Sequence, residues 1–193
     1  MLTILDRQYP TEVISSIVSN HLRVAVEDGE LYESAKASVY NAIATAEMFT
    51  NRVLVDSLVT IALDSLDSRV IELPTAPVRE IIEVRYRGAD DQWHTLDGCV
   101  AHSNDMRARM ELRDVPVLSS TTLLNRVEIE ARCGYEDYSG DRLKSKATYP
   151  LPGSVEQAII ILAKAYLEGD PLEELPPAAQ ILLNPYRIHP YGL

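Results

Sequence analysis

Apolar and polar positions along the chain change their period twice. Residues 11–24, "TEVISSIVSNHLRV", place Val13, Ile14, Ile17, Val18 and Leu22 on one helical face. "EDG" at 27–29 breaks the run, and Asp28 is the expected N-cap of a second helix reaching about residue 51. Within that helix, at about 100° per residue, Leu31, Ala35, Val39, Ala42, Ala46 and Phe49 line up as one stripe. Ala37, Tyr40, Ala44 and Met48 form a second stripe, about 180° away. Ser34, Ser38, Asn41 and Thr45 lie between the stripes on one side, Lys36 and Glu47 on the other. Two opposed apolar faces require two covers. One is the subunit's own core; the other is a further layer of the chain or a neighbouring subunit.

From about residue 57 the period shortens toward two. "LVTIAL" (58–63) and "RVIEL" (69–73) read as strands, and "LPTAPV" as a proline-punctuated turn. "REIIEVRYRG" (79–88) alternates Ile82, Val84 and Tyr86 against Glu83, Arg85 and Arg87, before "GADD" turns into "QWHTLDG". "MRARMELR" (106–113) sets Met106, Ala108, Met110 and Leu112 inward, and "RVEIEAR" (126–132) does so with Val127, Ile129 and Ala131. Antiparallel strands with one apolar and one charged face follow.

"GYEDYSGDRLKSKATYPLPG" (134–153) has no period and reads as a long loop. The period then returns to helical in "SVEQAIIILAKAYLEGD" (154–170), with Ser154 and Gln157 as a capping box. This helix is apolar nearly all round, the pattern of a buried element. A short last helix lies in "PPAAQILLNPYR" (176–187). The fold class is therefore α+β: a bundle of about four helices with an antiparallel β insertion between the second helix and the C-terminal pair. The chain reads as one domain over 1–193, with N-terminal helices in 1–56, the β insertion in 57–133, the loop in 134–153, and C-terminal helices and tail in 154–193.

Composition narrows the function classes. A net charge of −11 opposes a grip on nucleic-acid phosphates, while suiting a surface past which DNA slides. The apolar run in 158–167 covers about half of the roughly 20 residues of a spanning helix, so no membrane is expected. The start, "MLTILDRQYPTEV", lacks the basic and apolar regions of a signal peptide, which points to the cytoplasm. Cys99 and Cys133 form no CxxC pair and are expected reduced, packed as small hydrophobes. Ten Tyr against one Phe and one Trp tilt the surface toward interfaces.

Candidate chemistry is sparse. His21, His94, His102 and His189 fall at no metal-ligand spacing, so no metal or cofactor is expected. His94 and His102 flank the Asp97-Gly98 turn and could meet across a hairpin; as solvent-facing strand residues they need no role. Glu128 and Glu130, with Arg126 and Arg132 in the same alternation, read as a solvated charge ladder. Phosphate-binding and nucleophile motifs are missing, so no enzyme is expected. "DRLKSK" supplies a local basic cluster, Arg142, Lys144 and Lys146.

The ordered phrases resemble those of the head–tail connector (adaptor) proteins of tailed bacteriophages and phage-like particles. They are His21-Leu22-Arg23, "ATAEMFTNRVL" (44–54) with Asn51 where Gly is common, "LPTAPVREIIEVRY" (73–86), Gly134-Tyr135, "LPGSVEQAIIILAKAYLEG" and Leu182-Leu183-Asn184-Pro185-Tyr186-Arg187. The resemblance implies a non-enzymatic virion component, assembled in the host cytoplasm, of which about twelve copies form a ring under the portal protein. Such a ring continues the DNA channel toward a stopper or tail-completion protein, DNA passing without sequence-specific binding. On this reading Ala37, Tyr40, Ala44 and Met48 meet the neighbouring subunit. The tail residues Tyr186, Arg187, His189 and Tyr191 hold the portal. Arg142, Lys144 and Lys146 meet the next ring or DNA, a role the β insertion could share. The rival is a monomeric ligand-binding or regulatory module built on the β insertion.

Overall fold

A computed structural model describes residues 1–104, 107–136, 150–169 and 174–188. The chain divides into two compact units, Met1–Gln8 with Val55–Gly134, and Tyr9–Leu54 with Tyr135–Leu193.

The first unit is the β insertion joined by the N-terminus. Its larger sheet is antiparallel, in the order β1 (Leu2–Arg7), β2 (Ser57–Leu63), β8 (Val127–Cys133), β4 (Val78–Arg87), β5 (Trp93–Thr95). A smaller sheet runs β3 (Val70–Leu73), β7 (Ala108–Leu112), β6 (Cys99–Ser103). The two sheets meet where β4 lies against β6, and the Val78 amide donates to Ser103 Oγ at 3.0 Å. Val59, Ile61, Val84, Met110, Leu112, Val127, Ile129 and Ala131 are buried within this unit.

The alternation expected for β7 and β8 holds over Ala108, Met110 and Leu112, then Val127, Ile129 and Ala131, all buried; Met106, expected inward too, lies outside the described residues. β4 departs from it. Its pairing with β8 shifts between Val78 and Glu80 and again between Ile81 and Glu83, each shift being a bulge. A bulge reverses the facing of the residues beyond it, and Ile82 is left half exposed instead of inside. β1 is an element that the sequence pattern does not announce. "LTILDR" is short, and its pairing partner, β2, lies some fifty residues away in sequence.

Two details fix this unit. Asp56 is buried and takes an ion pair from Arg79 and a second, at 3.6 Å, from Arg132. Gly134 has φ +99°, and a Cβ there would stand 2.2 Å from the Val55 carbonyl oxygen, so only glycine fits the "GY" turn.

The second unit is helical. α1 (Thr11–Ser16) continues as a π-helical segment, Ile17–Leu22, which Arg23 closes in the left-handed conformation at φ 59°. Val13, Ile14, Ile17 and Val18 are buried as expected; Leu22 is half-buried. α2 spans Glu30–Thr50, α3 Gly153–Glu168 and α4 Pro177–Leu183, the last followed by a 3₁₀ turn over Asn184–Tyr186. α3 packs against α2, α4 and the π-helical segment, burying Val155, Ala158, Ile159, Ile160, Leu162 and Ala163. Most of its apolar surface is thus consumed within its own unit, with Ile161, Ala165 and Leu167 left half-buried.

The helix starts differ from those expected. Asp28 does not cap α2: Gly29 precedes the helix, and the Asp28 carboxylate instead accepts from the Ala25 amide at 3.0 Å. α3 begins at Gly153 after Pro152 without a side-chain cap, and Ser154 Oγ is turned to the Tyr186 hydroxyl at 3.0 Å. Among the described residues no helix is long and apolar enough to cross a membrane.

Candidate assembly surfaces

α2 carries the difference between its two faces residue by residue. Ala35, Val39, Ala42 and Ala46 are fully buried, and Phe49 is half-buried. Leu31, expected in the same stripe, is half exposed, while Tyr32 beside it in the first turn is buried. Opposite, Ala37 and Ala44 are exposed and Met48 is 79% exposed. Tyr40, the fourth member, is half-buried, its ring edge-on to Tyr9 with centroids 4.8 Å apart. A long thioether standing almost wholly in water beside two alanines is an apolar surface without cover in its own unit.

The flanking polar residues are not equivalent. Thr45 Oγ1 and the Tyr166 hydroxyl share a 2.6 Å hydrogen bond, tying α2 to α3. Glu47, expected on a polar flank, is buried and accepts from the Leu54 amide at 2.8 Å. It thereby holds the chain as it leaves α2. Asn51 closes α2 at φ 54°, in the left-handed region that Gly adopts freely and Asn enters more readily than most residues.

The start of the tail is fastened to this same end of α2. Arg52 Nε donates to the Tyr186 carbonyl, and its guanidinium lies 6.0 Å from the Tyr186 ring centroid. Arg187 stands 5.1 Å from the Phe49 ring centroid. The Ile188 amide donates to the Thr50 carbonyl at 2.8 Å, and Asn51 Nδ2 donates to the Ile188 carbonyl at 2.9 Å. Of the four residues expected to hold a portal, Tyr186 and Arg187 are thus engaged within their own unit; His189 and Tyr191 lie outside the described residues. So do Arg142, Lys144 and Lys146.

A surface that sequence reading missed lies in the β unit. Between β7 and β8 the chain runs without regular structure and exposes Val115, Val117, Leu123 and Leu124. Its shape is held from Asp91, Asp64 and Arg126, the Asn125 amide donating to Asp64 Oδ1 at 2.7 Å. Asp91 Oδ1 accepts from the Ser119 and Thr122 hydroxyls, each at 2.9 Å, and Asp91 Oδ2 faces Arg87 at 3.6 Å. The Thr122 and Ser119 hydrogen bonds, with Arg87 adding, hold the Asp91 carboxyl below its usual range. Arg126 then donates to the Ser119 and Asp64 carbonyls at 2.9 and 2.6 Å. The sequence signal was there in the Ser-Ser-Thr-Thr run, but nothing in it named Asp91 as the partner.

The histidines stand apart. His94, on β5 in the larger sheet, faces Asp90 at 2.8 Å; His102, on β6 in the smaller sheet, faces Glu111 at 3.1 Å. They do not meet across a hairpin, because their strands pair with β4 and β7 and not with each other. Glu128 is neutralised by Arg85 at 2.7 Å. Both cysteines are free. Burial pushes the Cys133 thiol up to about 12. Among the described residues no cluster of His, Cys, Asp and Glu is placed to hold a metal ion.

No protein-family model matches the sequence, and no curated protein does. Solved structures match over the whole length. A chain from the neck of an empty gene transfer agent (GTA) particle, computed with C6 symmetry, superposes with a TM-score of 0.76 at 22% identity, covering 100% of this chain and 98% of that one. This chain has the fold of a GTA neck chain. A chain from the virion of the native GTA particle gives 0.74 at 23% identity, again over 100% and 98%. One from the native neck, computed with C12 symmetry, gives 0.69 at 20% over the same shares. The GTA neck fold agrees with the resemblance to head–tail connectors read from the sequence.

Proposed function

We propose that the chain is a structural component of the head–tail neck of a phage or phage-like particle, a connector that forms a homo-oligomeric ring beneath the portal. The full-length match to chains from necks computed with C6 and C12 symmetry carries this reading. Ring closure from identical copies requires surfaces on each subunit that its own fold leaves open. The outer stripe of α2 has that character, with Ala37 and Ala44 permitting close approach and Met48 supplying adaptable apolar contact. It is the proposed ring seam.

The tail is the proposed portal contact. Tyr186 and Arg187 serve as its footing on α2, and the contact itself falls to the residues after Ile188, His189 and Tyr191 among them. On the β side, the loop bearing Val117, Leu123 and Leu124 is the better candidate for meeting a stopper or tail-completion protein, since its shape is held from Asp91 and its apolar side chains face water. A chain of net charge −11 would let DNA pass through such a ring without retaining it. The work is done by presented surface, without a catalytic step.

Mixing the protein with its cognate portal tests this by co-sedimentation. The wild type is expected to sediment with the portal as a ring. The Ala44→Asp/Met48→Asp double variant is expected to keep its helical circular dichroism and melting temperature and to lose ring formation. A wild-type chain that neither rings nor binds the portal would sink the proposal.

A further inference from the structure

A ring of identical copies joined head to tail pairs two unlike patches of the same chain. The outer stripe of α2 therefore needs a complement elsewhere on the subunit. The exposed side chains of the helical unit narrow the choice. α1 and the π-helical segment show water Thr11, Glu12, Ser16, Ser19, Asn20 and His21, and α3 shows Gln157, Lys164 and Glu168, all polar. α4 differs. It turns Ala179 and Leu183 inward and leaves Ala178 and Ile181 outward, Ile181 at 70% exposure, with Pro185 exposed one turn on. At about 100° per residue, Ile181 stands opposite the buried pair. Among the described helices, α2 and α4 are thus the two with an apolar outer face. α3 packs against both, and each outer face is turned away from it, so one subunit carries them on different flanks.

Both faces are also free of charge. Residues 37–46 of α2 and 175–186 around α4 hold no Asp, Glu, Lys or Arg, in a chain of which 24% is charged. Depletion of charge marks the centre of a protein–protein interface. Their shapes are complementary. Ala37, Tyr40, Asn41 and Ala44, at i, i+3, i+4 and i+7, are the four corners of a hole of the kind that receives one side chain of a facing helix. The two alanines leave it shallow at both ends, and Tyr40, held edge-on to Tyr9, forms one wall. Ile181 is a β-branched side chain, stiff at χ1, standing alone on α4 as a knob of that type. Two α2 faces brought together would leave the alanine positions without contacts, whereas Ile181 fills them.

We infer that α4 is the other half of the ring seam: Ile181 of each copy seats in the hole between Ala37 and Ala44 of the next. The inference rests on the ring proposed above, and names the surface that the α2 stripe meets.

Disulfide trapping on the cognate portal tests it, since the bond forms only where two Cβ atoms come within about 4 Å. The background is Cys99→Ser, the other native thiol, Cys133, being buried. Ala37→Cys/Ile181→Cys and Ala44→Cys/Ile181→Cys are each assembled and oxidised. At least one of them is expected to give a ladder of covalent multimers on a non-reducing gel. An equal mixture of the corresponding single variants is expected to stop at dimers, and each single variant alone to stay monomeric. Rings that sediment with the portal while neither pair forms a ladder would overturn the inference and leave the ring standing. Dimers from Ala44→Cys alone or Ile181→Cys alone would overturn it in favour of like faces meeting. A wild-type chain that fails to sediment with the portal is the separate failure of the ring itself, read without any cysteine, and this pairing falls with it.

Discussion

α3 is the more apolar of the two long helices, and α2 is the one that leaves apolar surface in water. α3 spends "AIIILA" on α2, α4 and the π-helical segment, with Ile159 and Leu162 fully buried. α2 buries Ala35, Val39, Ala42 and Ala46, and presents Ala37, Ala44 and Met48 outward. The amount of apolar surface on a helix says how much must be covered; its angular distribution says by how many partners.

The largest effect that would sharpen this contrast lies on α3. Leu162→Ala is expected to cost about 2–5 kcal/mol, as large-to-small changes in a close-packed core do. Denaturant unfolding would measure it, and a loss below about 1 kcal/mol would mean that α3 is less enclosed than described. The inward end of α2 comes next. Glu47→Ala removes the acceptor of the buried Leu54 amide and is expected to cost about 1–3 kcal/mol in the same measurement. Asn51→Ala is expected to cost about 1 kcal/mol, and Asn51→Gly less, since Gly keeps the left-handed turn and loses only the bond to the Ile188 carbonyl. The smallest effect on stability belongs to the outer stripe. Met48→Ser is expected to stay within about 0.5 kcal/mol of wild type while weakening assembly.

The β unit provides the same contrast in titration. The Asp91 carboxyl is held low in the folded chain, so its contribution is present above its unfolded pKa and is lost as pH falls through the folded value. Asp91→Asn is therefore expected to narrow the stability difference between neutral and acid pH, read from melting curves on either side of the carboxylate range. The Cys133 thiol is held high, at about 12. Its contribution is present below the unfolded value and is lost as pH rises toward the folded one, and native Cys133 is expected to resist alkylation at pH values where the unfolded chain reacts.

Where the elements follow a single period, the chain could be read directly. β7 and β8 show both faces in their alternation, and α3 announces its burial through an unbroken apolar run. Reading failed where backbone devices override the period. Two bulges in β4 turn Ile82 outward, and no side chain in "REIIEVRYR" marks them. Gly29 starts α2 through its backbone, while the more obvious Asp28 serves Ala25. Long-range partners were equally hidden: β1 exists only by pairing with β2, and Asp91 shapes a loop some thirty residues later. On the candidate surfaces, the outer stripe of α2 was legible because helical geometry fixes it. The engagement of Tyr186 and Arg187 was not, because their partners, Arg52 and Phe49, come from a distant part of the chain.

The proposed ring seam is tested most directly by a cryo-electron microscopy map of the protein assembled on its cognate portal, at a resolution that shows side chains. A closed ring is expected, in which Ala37, Ala44 and Met48 of each copy are buried against the next. A ring that leaves those three residues in solvent would refute the seam.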